Sequence, residues 1–113
     1  MKDDRERLRH ILEAIEQVEK YSAQGKEAFQ KSDLIQNWMV RHIQIIGEAA
    51  RTLSPELQSR HSEIPWADII GMRHVLVHIY FDIDLNLVWI VVSQDLPKLK
   101  PQIQAILKEI EKP

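Results

Sequence analysis

Between Asp3 and about Ala23, the apolar residues Leu8, Ile11, Leu12, Ile15 and Val18 return every three or four positions with charges between them. That spacing predicts a half-buried helix, with Gly25 placed to end it. A second run begins near Ser32 or Asp33, both good N-caps, and carries Ile35, Trp38, Met39, Ile45, Ile46, Ala49 and Leu53 before Ser54-Pro55 stops it. Residues 55–61 read as a short helical turn. Pro65-Trp66 opens a third run through Ile69, Ile70, Val75, Leu76, Val77 and Ile79, since proline suits a first turn. The β-branched residues between Val75 and Phe81 leave a strand open there. From Asp84 to Val92, the spacing of Leu85, Val88, Trp89 and Val92 favours a helix. Asp95 is placed to cap a last one, with Pro97 in its first turn and Pro101 expected to kink it or delay its start.

No repeat, glycine-rich loop or hairpin signal interrupts this pattern, and glycine occurs only three times. The expected class is all-α. Short connections favour antiparallel neighbours, so the simplest packing is an up-down bundle of four to five helices in one domain over residues 1–113.

Composition narrows the chemistry. With 44% apolar and 28% charged residues the chain has an ordinary globular profile. It has no cysteine, which excludes disulfides, thiolate catalysis and cysteine-based zinc sites, and fits a reducing compartment. The charged N-terminus has no apolar run behind it, so neither a signal peptide nor a membrane span is expected and the cytoplasm is the expected location. Fifteen Lys plus Arg stand against seventeen Asp plus Glu, a net charge of −2. A broad electrostatic grip on nucleic acid is not expected. Any RNA chemistry would need a local cationic site, or one concentrated by pairing two subunits.

The segment 71–82, Gly-Met-Arg-His-Val-Leu-Val-His-Ile-Tyr-Phe-Asp, places an Arg and two His in a core-like run. Groups of this kind need partners or a purpose when partly desolvated. One reading is structural, with Arg73 paired to a carboxylate and the histidines satisfied inside. Chemically, the planar fork of Arg73 suits a phosphodiester and the charge that develops on it, while His78 can move protons near neutral pH. RNA brings its own nucleophile, the 2′-hydroxyl, so neither metal nor cofactor is required, and the products would be a 2′,3′-cyclic phosphate and a 5′-hydroxyl. On a regular helix Arg73 and His78 stand roughly 140° apart, which calls for a composite cleft, completed by a second subunit in a two-fold dimer. Tyr80 falls on Arg73's side. An alternative use of the same stretch is metal binding, since His74 and His78 are four apart. His42, on the apolar stripe of the second helix, reads as a core or interface histidine with a hydrogen-bond partner.

The ordered set Arg73-x4-His78-x-Tyr80, Ile45-Ile46-Gly47-Glu48-Ala49-Ala50, Ile64-Pro65-Trp66, Ile69-Ile70-Gly71-Met72-Arg73 and the Val88-Trp89 to Leu96-Pro97 tail resembles the HEPN family in its HepT form. The resemblance runs from the first helix to about Leu99. It implies a helical homodimer that cuts RNA without a metal as the toxin of a toxin–antitoxin pair. In that reading Arg73 and His78 are catalytic, and His74, in the polar slot after the Arg, and Glu48, in the Gly-Glu-Ala segment, support them. It further implies a minimal nucleotidyltransferase antitoxin of the MntA kind as partner, with Tyr80 as the acceptor of AMP groups. Some HEPN proteins are inactive, which leaves a non-catalytic module that docks a nucleotidyltransferase as the alternative.

Overall fold

The structure, a computed structural model, describes residues 3–78 and 84–111, with the main chain alone for residues 73–78. It is all-α, with no strand among the described residues. Four long helices carry the bundle: α1 (Asp4–Ser22), α3 (Asp33–Arg51), α5 (Trp66–His78) and α7 (Leu96–Glu111). Three short segments link them: α2 (Lys26–Lys31), α4 (Pro55–Arg60) and α6 (Leu85–Ile90).

Local chemistry sets most boundaries. The Asp3 carboxylate accepts from the Arg5 amide at 3.0 Å, and the Ser32 hydroxyl accepts from the Ile35 amide at 3.2 Å, so α1 and α3 start where their caps stand. Gly25 has φ +95°, a region other residues avoid, and lets the chain reverse from α1 into α2. Buried Gln36 reaches back from α3 and donates to the carbonyls of Phe29 and Gln30 at 3.0 and 3.2 Å, satisfying the end of α2. Ser54 caps α4 through the Leu57 amide while its own hydroxyl donates to Asp4 at 2.6 Å. The start of α1 is thereby tied to the corner between α3 and α4.

The core lies where α3 meets α1. Leu8, Ile11, Ile15 and Val18 share it with Met39, Ile43 and Ile46, all buried, and Ile103 and Ile106 of α7, which also packs on α1, extend it. Trp38 adds a polar tie, its indole N–H donating to the Gln17 carbonyl at 2.8 Å while Tyr21 meets it edge-on at 5.5 Å. α5 packs along α3.

The C-terminal third departs from expectation. Asp95 caps nothing and Pro101 does not delay a helix start: α6 runs through a π-helical turn (Val91–Asp95) directly into α7, with Pro101 inside it. The physical reason lies in Pro97. Its ring crowds the carbonyl four residues back, and the wider π turn, in which the Leu96 amide donates to the Val91 carbonyl, opens the ladder just before it. Buried Leu96, Leu99 and Ile103 hold the rod against the bundle, outweighing the lost backbone bonds.

Ile43 is fully buried, so Ile43→Ala should destabilise the fold by about 2–5 kcal/mol, read from the midpoint of urea unfolding. A second outcome concerns the tie between α1 and α7. The Glu19 carboxylate accepts from Lys100 Nζ at 2.9 Å, and this hydrogen bond holds the ammonium above its ordinary 10.5. A raised pKa stabilises the fold below 10.5, and the gain fades as pH climbs through the folded value. The stability gap between the native chain and Lys100→Met should therefore be constant near neutrality and close in strongly alkaline buffer.

Candidate active site

The helix that bears the polar motif is built to start sharply. The Ile69 amide donates to the Pro65 carbonyl at 3.1 Å in the first turn, and the Trp66 indole N–H donates to the His61 carbonyl at 3.0 Å, anchoring the entry. Asp68 adds a negative charge near the positive helix start. Beyond it, Ile69, Ile70, Met72, Val75, Leu76 and Val77 spread around the helix axis instead of forming one stripe. A helix apolar on most sides calls for cover on more than one.

The main chain remains helical from Trp66 to His78, so residues 75–78 are helix and not strand. Arg73, His74 and His78 thus sit on one helix, in its C-terminal half. Arg73 and His78 are separated by roughly 7.5 Å of rise and about 140° of rotation, so the helix alone does not aim them the same way. His74 and His78 are one turn apart. The side chains of all three, and Tyr80 altogether, lie outside the described residues.

Glu48 stands on α3, the helix along which α5 packs. Its carboxylate is about half exposed and pairs with Arg51 three residues on. That hydrogen bond raises the Arg51 guanidinium above its ordinary value. Among the described residues no cluster of three or more His, Asp or Glu could hold a metal ion; the imidazoles of His74 and His78 fall outside that set.

His42 has the role its position on the stripe suggested. It is 8% exposed, its Nδ1 lies 2.7 Å from the Trp38 carbonyl and its ring packs against that indole at 4.5 Å. Because a carbonyl only accepts, Nδ1 carries the proton, leaving Nε2 as the acceptor in the neutral ring. Sequence reasoning missed a groove between α5 and the C-terminal rod, bordered by Asp68 and Asp95. Twenty-seven positions separate these two residues, and no local spacing relates them.

The family model described as Ribonuclease HepT-like matches residues 11–106, which span from α1 into α7 and include Glu48, Arg73, His74, His78 and Tyr80. The chain belongs to this HepT-like family. A Methanocaldococcus jannaschii protein named for gamma-glutamylcyclotransferase and, provisionally, RNase is 42% identical over 112 residues, covering 98% of this chain and 50% of that protein. This HepT-like chain therefore spans half the length of that relative. A provisionally named RNase of Caldanaerobacter subterraneus subsp. tengcongensis is 36% identical, covering 96% of this chain and 98% of the relative. The "Probable ribonuclease HepT" of Thermococcus cleftensis is 34% identical over 89% of this chain and 93% of its own length. No solved structure matches the chain. None of the helices among the described residues is long and apolar enough to cross a membrane.

Gly71 tests how α5 is covered. A Cβ built there meets nothing within 4 Å, so Gly71→Ala should stabilise the helix by about 0.5–1 kcal/mol through its propensity alone. Thermal unfolding of the isolated protein measures this. A drop in stability would reveal a second surface already seated against this turn.

Proposed function

We propose that this HepT-like chain is a metal-independent endoribonuclease acting as the toxin of a toxin–antitoxin pair. Its family membership carries the reading, together with the placement of Arg73, His74 and His78 on one helix. In the reaction, His78 takes the proton of the RNA 2′-hydroxyl. The freed oxygen attacks the adjacent phosphorus and the 5′-oxygen leaves with a proton from water, to which His78 later returns its own, giving a 2′,3′-cyclic phosphate and a 5′-hydroxyl. Arg73 holds the non-bridging oxygens and steadies their growing charge. His74 and Glu48 support the pair, Glu48 from the neighbouring helix.

The 140° between Arg73 and His78 is best reconciled by a homodimer whose two α5 helices complete one cleft. The exposed Leu34 and Ile90, at 82% and 45%, are surface such pairing could cover. The whole chain works as one HEPN-like unit, in the cytoplasm. Its partner is a minimal nucleotidyltransferase of the MntA kind that moves AMP from ATP onto the Tyr80 hydroxyl, with pyrophosphate leaving. Each AMP adds bulk and a negative phosphodiester beside a site made for an RNA phosphate, which blocks substrate.

Purified protein should cleave single-stranded RNA in EDTA and run at twice 13.3 kDa by light scattering. Arg73→Ala and His78→Ala should each cut the rate by at least about a hundredfold, the scale for losing charge stabilisation or general base catalysis. Residual activity at the native rate in either variant would assign the cleavage to a contaminant. Co-expression with the cognate nucleotidyltransferase should add the mass of one or more AMP groups at Tyr80 and silence cleavage, whereas Tyr80→Phe should stay active. Silencing without added mass would mean inhibition by docking. Complex formation without any RNA cleavage by the free chain would favour the non-catalytic module.

A further inference from the structure

α5 packs on α3, and the rod formed by α6, the π-helical turn and α7 packs on α1 and α3. Between α5 and the rod runs an open groove. It consists of two adjoining hollows of about 430 and 290 Å³ that share Asp68, Met72 and Asp95. Buried Ile69, Leu96 and Leu99 form the floor of one and Val91 that of the other, with Met72 at the junction. A methionine there suits a surface that must adapt to an apolar guest.

From the geometry of this groove we infer that it is a docking site for a basic, amphipathic helix of a partner protein. The first support is shape. Along the rod the groove extends from Leu87 to Gln102, roughly 22 Å at helical rise, which matches a guest helix of about four turns. The second is the unmet demand of α5, whose Ile70, Gly71 and Met72 remain partly exposed although the helix is apolar around most of its girth.

The third support is charge. Asp68 and Asp95 flank the groove and make no ion pair or side-chain hydrogen bond among the described residues, and Glu63 extends the acidic border, with Lys98 the one cation among the described lining residues. Such a border repels RNA phosphates. A second copy seated by a two-fold axis on this groove would bring the same aspartates together, so self-association here is opposed as well. Lysines or arginines beside an apolar stripe complement both features at once. This inference does not rest on the ribonuclease reading.

The test uses the full chain and a fluorescein-labelled helical peptide with leucines on one face and lysines on the other; the control peptide has glutamate for lysine. Fluorescence anisotropy should show binding of the lysine peptide alone. In Asp68→Lys/Asp95→Lys the affinity should fall at least about tenfold, because attraction becomes repulsion. Gly71→Trp, which fills the hollow, should also abolish binding. Glu13→Lys/Glu27→Lys, the same change of net charge away from the groove, should leave it unaltered. Circular dichroism verifies that each variant is folded, and RNA cleavage is scored separately so that the two readings fail independently. Equal loss in the Glu13/Glu27 control, binding of the glutamate peptide, or a change of oligomeric mass in Asp68→Lys/Asp95→Lys would each overturn the proposal, the last by making the groove an interface between copies.

Discussion

The burial of α3 on two sides is the constraint from which the rest of the structure follows. Its large residues Met39, Ile43 and Ile46 are fully buried, and Gly47, Ala49 and Ala50 keep its second half slim. A helix with so wide an apolar arc cannot be satisfied by one neighbour, and α1 and α5 both pack against it. The consequence reaches the candidate site directly. α5 is held in place by α3, and its C-terminal half carries Arg73, His74 and His78 wherever that packing sets it.

The second governing feature is continuity of the C-terminal rod. Two prolines would ordinarily end a helix, yet the chain from Leu85 to Glu111 remains helical because a π turn absorbs the first and tertiary burial offsets the second. The rod has contacts of its own: Trp89 meets Phe29 of α2 at 5.3 Å, and Lys100 reaches Glu19 of α1. Fastened to α1 and α3, it does not close on α5, and the groove is what remains.

These two features divide the work of a chain with slightly negative charge. A molecule with more acids than bases does not attract RNA over its whole surface, so the proposed catalysis on RNA has to be local. Arg73 puts a positive charge in the C-terminal half of α5. Asp68, five residues earlier on the same helix, faces the groove and suits a different ligand. One element thus presents opposite chemistries in its two halves.

Helix identity and most boundaries were legible in the sequence because they depend on neighbours within one turn: the three- and four-residue spacing of Leu8 to Val18, the cap at Ser32, the proline before Trp66. The motif residues Arg73, His78 and Tyr80 were legible too, as residue types whose chemistry suits a phosphodiester and as a resemblance to a family. The fate of Asp95 and Pro101 was not. A capping aspartate and a helical proline look like a helix break when only local energies count, and only the burial of Leu96, Leu99 and Ile103 against distant helices reversed that preference. The pairing of Asp68 with Asp95 across the groove was equally invisible, since their nearness depends on α5 and the rod being held apart by different partners. The sequence by itself determined which segments are helices and which residue types could cut RNA; the tertiary structure alone decided which helix ran on and what the surfaces face, because those outcomes depend on contacts between residues far apart in the chain.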